Sequence, residues 1–306
     1  MTTRHLRCGD TVLPLGERTL LMGVVNITPD SFSDGGLYLD AQHAVDHARR
    51  LLADGADILD LGAESTRPGA TPISADEELS RLLPVIERLV AEGVRCISVD
   101  TSKADVAEAT LAAGASWVND VTGLADPRMA SVATAADVLV LMHQRPTTAG
   151  AVSDAVHYDD VVAEVSQRLD DARSTAVAAG VHPDHIVLDP GIGFGKTVDD
   201  NLVLLAALPR LAELGQPLLV GASRKRFVAA LSGAADVEER DIATVGVGCA
   251  AARPGVHVVP DHRALPGLVP AAPTVERERQ GGDHLPGQKV GAEGGVHRCI
   301  VGGGSA

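Results

Sequence analysis

The sequence predicts an α/β protein folded as a (β/α)8 barrel, and three observations predict it. From residue 20 to about residue 260, short apolar runs alternate with longer amphipathic ones. Eight short runs can be counted, each followed by a helical pattern or by room for one. Seven of the eight finish in polar residues, as strands do when a barrel carries its chemistry on their C-terminal ends. An open doubly wound sheet built from the same elements is the alternative.

The elements follow in order. Leu20–Asn26 (LLMGVVN) reads as a buried strand. In Asp40–Asp54, Ala41, Ala44, Val45, Ala48, Leu51 and Leu52 share one helical face, and Gly55 stops the helix. Asp57–Gly62 is the second strand. Ser74 and Glu77 form an S-x-x-E capping box before a helix whose apolar face is Leu79, Leu82, Leu83, Ile86 and Leu89. Cys96–Asp100 is the third strand, and Lys103–Ala113 the helix that Gly114 ends. Further strands are expected at Ser116–Asn119, Val138–His143, Ile186–Asp189, Leu218–Ser223 and Val256–Val259. Helices are expected at Pro127–Ala135, Tyr158–Ala179 and Asp199–Leu214.

The chain ends differently. Pro260, Pro266, Pro270 and Pro273 forbid the helix that should close the eighth unit. The glycine-rich remainder has no period and reads as a disordered tail. The expected organisation is therefore an N-terminal extension (1–18), a barrel (19–262) and an atypical Pro/Gly-rich tail (263–306).

Bulk properties exclude several functions. A net charge of −15 over 306 residues disfavours nucleic acid and acidic membrane surfaces, which select basic patches. No apolar run approaches the length of a membrane span, and the first 20 residues lack the core of a signal peptide. The four cysteines, Cys8, Cys96, Cys249 and Cys299, form no CxxC pair, which argues against a zinc site or disulfide framework and for a cytoplasmic protein.

The strand ends read Asn26, Asp60, Asp100, Asn119–Asp120, His143, Asp189 and Ser223–Arg224–Lys225. One such residue is best explained as a helix cap or turn former. Seven on one face suggest a ring of amides and carboxylates around a flat heterocycle with N–H donors and ring acceptors. Two loops add hydroxyls, glycines and an arginine suited to phosphate: residues 28–36 after the first strand and 64–70 after the second. Both are long enough to act as lids. Asn26 and Asp34 offer hard oxygen ligands for Mg2+. Residues 190–197 (PGIGFGKT) imitate a phosphate-binding G-x-x-x-x-G-K-[ST] loop, but Pro190 stands where the first glycine belongs. That segment is better read as a flexible loop presenting Phe194 as a stacking surface.

These segments resemble the dihydropteroate synthases. The resemblance is carried by MGVVNITPDSFSDGG (22–36), DLGAESTRPGA (60–70), ISVDTSKADV (97–106), VNDVTG (118–123), LMH (141–143), LDPGIGFGK (188–196) and LVGASRKRF (219–227). It covers about residues 20–253. It implies a transferase of folate biosynthesis that joins a pterin pyrophosphate to p-aminobenzoate with Mg2+. By matching position, Asp60, Asp100, Asn119, Asp189 and Lys225 would bind the pterin, with Asp60 beneath it and Asp60, Asp100 and Lys225 catalytic. Asn26 and Asp34 would hold Mg2+, and Thr66 and Arg67 would contact pyrophosphate. Phe32, Pro68, Phe194 and Ser223 would line the p-aminobenzoate pocket, and Arg226, which replaces a frequent serine, would bind its carboxylate. The family also implies a homodimer formed with help from the last helix.

One departure matters. The family carries Arg-x-His-Asp after the eighth strand, where arginine and histidine grip pyrophosphate. This chain has Pro260-Asp261-His262-Arg263, so His262 and Arg263 are the substitutes at hand, in reversed order. A frame change near codon 254 would account for this end. The competing functions are a catalytically impaired pterin-binding relative lacking that anion site, and a methyltransferase binding a methylated folate on a similar barrel. The SFSDGG and STRPG loops count against the latter, since a methyl donor brings no pyrophosphate.

Overall fold

The computed structural model describes residues 4–28, 36–65, 71–145, 157–221, 227–228 and 256–261, with the backbone alone for 36–40.

The chain opens on a hairpin that the sequence reading passed over as an extension. Strands β1 (His5–Cys8) and β2 (Thr11–Pro14) pair antiparallel around a two-residue Gly9-Asp10 turn, with Cys8 opposite Thr11. Gly9 lies at φ +57°, a conformation that costs a glycine little.

Eight parallel strands then close a barrel: β3 (Leu20–Asn26), β4 (Ile58–Gly62), β5 (Ile97–Asp100), β6 (Trp117–Asp120), β7 (Val138–Met142), β8 (Ile186–Asp189), β9 (Leu218–Leu219) and β10 (Val256–Asp261). The last strand pairs with both β9 and β3, which closes the ring and excludes the open sheet. Pro260 pairs in register with Met22 of β3 but lies beyond the last residue in register with β9, where a missing N–H removes no ladder bond. The eighth strand is thus sound. The segment where its helix was expected to fail, and the tail, lie outside the described residues.

Between the strands run α1 (Gly36–Ala53), α2 (Ala75–Ala91), α3 (Ala104–Ala112), α4 (Met129–Val132), α5 (Val161–Ala178), α6 (Val198–Ala206) and α7 (Leu208–Ala212). In α2 only half of the expected capping box forms. Ser74 Oγ accepts from Glu77 N at 3.2 Å, while the Glu77 carboxylate pairs with Arg81 one turn on. A complete box forms at α6 between Thr197 and Asp200. The single helix expected over Asp199–Leu214 is two, because Pro209 cannot continue α6 and begins α7 instead. The expected helix over Pro127–Ala135 is the short α4 followed by a 3-10 turn at Ala133–Ala135.

Strand alternation sorts side chains into two cores. Val25, Leu59, Leu61, Ile97 and Val99 face outward and pack with α1 and α2, while on the opposite side Val118, Leu139, Leu141, Ile186 and Leu188 face outward and pack with α4, α5, α6 and α7. Met22, Ile58, Trp117, Val138, Val140, Val187, Leu219 and Val258 face inward. They meet Leu6, Cys8, Leu13 and Leu15 of the hairpin, which plugs the lower end. The plug is fastened by Trp117, whose Nε1 donates to Arg7 O at 2.8 Å.

Candidate active site

The same alternation that turns Met22, Ile58, Trp117 and Val187 inward turns residues two and four positions later inward at the upper end. Those residues are Asn26, Asp60, Asn119 and Asp189, with Ser98 and Asp100 on β5. Below, the barrel interior is apolar; above, it is a ring of amides, carboxylates and one hydroxyl.

Asp60 lies a layer lower than the strand end first expected for it. It is in register with Ser98, whereas Gly62, the last residue of β4, is in register with Asp100. Asn119 Nδ2 donates to Asp60 Oδ2 at 3.1 Å. Asp60 Oδ1 and Ser98 Oγ are buried and have no hydrogen-bond partner among the described residues. Burial raises the Asp60 pKa, eased by Ser98, which is near without a hydrogen bond of normal geometry, and by Asn119. Burial also pushes the Asp100 carboxyl well above the usual range, helped by the nearby carboxylates of Asp60, Glu78, Asp120 and Glu64. Gly62 leaves room beside Asp100, with its Cβ position 3.6 Å from Asp100 Cβ. The floor of the barrel mouth therefore holds one carboxylate oxygen, Asp60 Oδ1, and one hydroxyl, Ser98 Oγ, without a partner among the described residues, beside the buried carboxyl of Asp100. It suits a ligand bringing several N–H groups, and it favours positive charge developing on that ligand.

Other strand-end residues serve as supports. Asp120 is fully buried, and its carboxylate accepts from Thr122 N (2.8 Å), Thr122 Oγ1 (2.6 Å) and Leu124 N (2.7 Å), shaping the loop after β6. His143 is buried against Lys196. Burial, then the Lys196 charge, pushes its pKa down to about 3, so the ring is neutral in physiological solution.

Two lysines that sequence reasoning left without roles are built into this region. Lys103 pairs with Glu64 at the root of the second loop and, at 2.6 Å, with Glu78, which is fully buried in α2. Burial works against the Lys103 ammonium, but the two carboxylates outweigh it and raise its pKa. Lys196 binds the 190–195 loop from within. The expected flexible loop is instead held at several points: Gly191 N donates to Asp189 Oδ1 at 2.7 Å, and Gly193 N to Asn201 Oδ1 at 2.6 Å. Phe194 is half-buried there, its N–H donating to Gly191 O at 3.1 Å. The signal for Asn201 was its place on the buried side of a capped helix.

Asn26 is exposed at the end of β3, in register with Gly62. Phe32, Asp34, Thr66, Arg67, Pro68, Ser223, Lys225, Arg226, His262 and Arg263 lie outside the described residues. Among the described residues no group of three or more His, Cys, Asp or Glu is arranged to hold a metal. No described helix is long and apolar enough to cross a membrane.

Residues 22–262 match the pterin binding enzyme family. The dihydropteroate synthase of Bacillus subtilis (strain 168) is 47% identical over 228 residues, covering 74% of this chain and 77% of that protein. The chain belongs to the pterin-binding dihydropteroate synthase family. Among its solved members, the Xanthomonas albilineans dihydropteroate synthase with 4-aminobenzoic acid has a TM-score of 0.79 at 45% identity, covering 86% of this chain and 94% of that one. The same enzyme in complex with 7,8-dihydropteroate gives a TM-score of 0.74 at 42% identity, covering 84% and 92%. Members of this family are transferases, and the barrel mouth described above is where such an enzyme keeps its chemistry.

Proposed function

We propose that this chain condenses 6-hydroxymethyl-7,8-dihydropterin pyrophosphate with p-aminobenzoate, giving 7,8-dihydropteroate and pyrophosphate. The observation that carries the reading is the donor-hungry floor of the barrel mouth, where Asp60, Ser98, Asp100 and Asn119 converge. A pterin edge supplies ring N–H and amino donors for Asp60 Oδ1 and Ser98 Oγ, which have no partner among the described residues, and for the Asp100 carboxyl beside them.

In this reading Asp100, Asn119, Asp189 and Lys225 hold the pterin by its hydrogen-bonding edge, with Asp60 beneath. The C–O bond to pyrophosphate breaks with its electron pair leaving on oxygen, and the exocyclic carbon becomes cationic by delocalisation into the ring. Asp60 and Asp100, fixed in a poorly solvated site, favour that charge more in the transition state than in the ground state. Thr66 and Arg67 receive the departing oxygens, with His262 and Arg263 in place of the family's arginine and histidine. Phe32, Pro68, Phe194 and Ser223 orient the arylamine, and Arg226 pairs with its carboxylate. The amine nitrogen then bonds to the carbon and releases a proton.

Asn26 suits Mg2+, being an exposed amide at the rim and a hard oxygen donor, and Asp34 would add a carboxylate. Mg2+ prefers one or two such ligands together with substrate phosphate oxygens, which fits this sparse donor set. When bound, the ion neutralises charge on the leaving pyrophosphate. The scattered cysteines suit a reducing cytoplasm, and the partners in this reading are the two small substrates and, if an intact last helix forms, a second copy.

Purified full-length chain with the pterin pyrophosphate, p-aminobenzoate and Mg2+ should release one pyrophosphate for each dihydropteroate formed. The departure at 260–263 motivates the second reading, a relative without its C-terminal anion grip. Tight pterin binding with no pyrophosphate release would favour that reading.

A further inference from the structure

The lysine of the failed phosphate loop has an occupation of its own. Lys196 Nζ lies 2.8 Å from Gly191 O, 3.1 Å from Phe194 O, 3.1 Å from His143 Nδ1 and 3.4 Å from His143 O. These acceptors belong to two elements: the loop after β8 and the residue that follows β7. A P-loop lysine reaches outward to a phosphate, whereas this one is turned in toward backbone carbonyls.

The backbone it grips is unusually tight. Gly191 has φ +66°, and a Cβ there would stand 2.0 Å from His143 O, so a side chain is excluded on two counts. The Gly191 carbonyl bonds Lys196 while its N–H bonds the Asp189 carboxylate. The Phe194 carbonyl bonds Lys196 while its N–H bonds Gly191 O. One ammonium therefore bonds the backbone at both ends of a turn that follows Asp189 and carries two side chains, Ile192, buried in the core, and Phe194, which is only half-buried. The neutral His143 ring completes the clamp as an acceptor, a role a protonated ring would lose.

The geometry points to Lys196 as a positioning residue for the arylamine half of the site, acting through the Gly191–Phe194 backbone. This rests on the proposed reading of Phe194 as a wall of the p-aminobenzoate pocket. Asp189 is also anchored by its strand, but Phe194 depends on the turn, so the arylamine side should feel the loss first.

The test is steady-state kinetics on Lys196→Met, Lys196→Arg and Phe194→Ala, with the Phe194 amide followed by hydrogen exchange. Charged hydrogen bonds of this kind are worth enough that Lys196→Met should raise KM for p-aminobenzoate roughly tenfold. The pterin KM and kcat should each move less than about threefold, as expected when binding rather than the transition state is affected. Lys196→Arg should recover part of the loss. In Lys196→Met the Phe194 amide should exchange faster, and the His143 ring should titrate higher once the neighbouring cation is gone. An unchanged p-aminobenzoate KM in folded Lys196→Met overturns the proposal, as does a fall in kcat with both KM values unmoved. If Lys196→Met does not fold, Lys196→Gln, which keeps a donor without the charge, decides by the same criteria. Phe194→Ala separates the Lys196 clamp from the arylamine role of Phe194. An unmoved KM there, alongside faster Phe194 amide exchange in Lys196→Met, removes Phe194 from the pocket and overturns the arylamine role while leaving the clamp in place.

Discussion

The two ends of the barrel are made from the same eight strands and obey opposite rules. At the lower end the described inward side chains are packed and partnered: Met22, Ile58, Trp117, Val138 and Val258 pack against Leu6, Cys8, Leu13 and Leu15, and Trp117 Nε1 donates to Arg7 O. Two residues further along the strands, the inward groups are Asp60, Ser98, Asp100 and Asn119, and two buried oxygens there have no donor among the described residues. The lower end is complete in the free protein. The upper end carries desolvated carboxyls that a ligand would satisfy. Stability and chemistry are thus separated along a single strand direction, by alternation that fixes which residues face in and by position that fixes what they meet.

This contrast can be attacked from both ends. Trp117→Ala should destabilise the protein most, by roughly 3–5 kcal/mol for the loss of a fully buried aromatic. Urea unfolding would measure it, and kcat/KM of the folded fraction should stay within about threefold of wild type. A large loss of activity in protein that is still folded would mean the plug and the mouth are not independent. At the other end, Lys225→Ala should leave the urea midpoint nearly unmoved while weakening pterin binding by roughly 1.5–3 kcal/mol in a calorimetric titration. Loss of stability without loss of affinity would remove Lys225 from the site.

A pH-dependent effect sharpens the boundary between the ends. His143 is buried and neutral, with its pKa depressed from 6.5 to about 3 by burial and the Lys196 charge. A depressed value gives stability that is present above the unfolded value and lost as pH falls toward the folded one. Between pH 6.5 and 3 this one group should cost up to about 1.4 kcal/mol per pH unit. His143→Gln should flatten that part of the acid limb, as urea midpoints at pH 7.5 and 5 would show. Equal slopes in the two proteins would mean that His143 takes up its proton in the native state at the same pH as in the unfolded chain, which contradicts a depressed pKa.

Much of this was legible in the residues. Leu20–Asn26 and Ile186–Asp189 were bounded correctly because a continuous apolar run ending in a polar residue has few other readings in an alternating α/β pattern. That Asn26, Asp100, Asn119 and Asp189 stand at the upper ends of their strands was legible from the succession of apolar runs finishing in polar residues, whereas which strand-end residues turn inward was not, since Asp120 and His143 read the same way. The hairpin was missed although Gly9-Asp10 between Leu6, Cys8 and Leu13, Leu15 is a turn signal, because two four-residue strands carry little periodicity. Lys103 and Lys196 were visible as residues and invisible as supports. Their partners, Glu64, Glu78 and His143, are 39, 25 and 53 positions away, and nothing local announces such pairs. Asp60 was counted among the strand ends although its strand runs on to Gly62, and register sets it one layer below Asp100.

The central claim is that the mouth is left unsatisfied for a pterin. Asp100→Asn tests it in a single thermal-melt experiment with and without the pterin pyrophosphate. Burial and neighbouring carboxylates raise the Asp100 pKa, so its contribution to stability is full below the usual carboxyl value and is lost as pH rises through the folded one. At pH 8 the neutral amide should therefore melt above wild type, while ligand should raise the wild-type Tm and barely move the variant. A variant that melts below wild type and is still stabilised by the pterin would contradict the account.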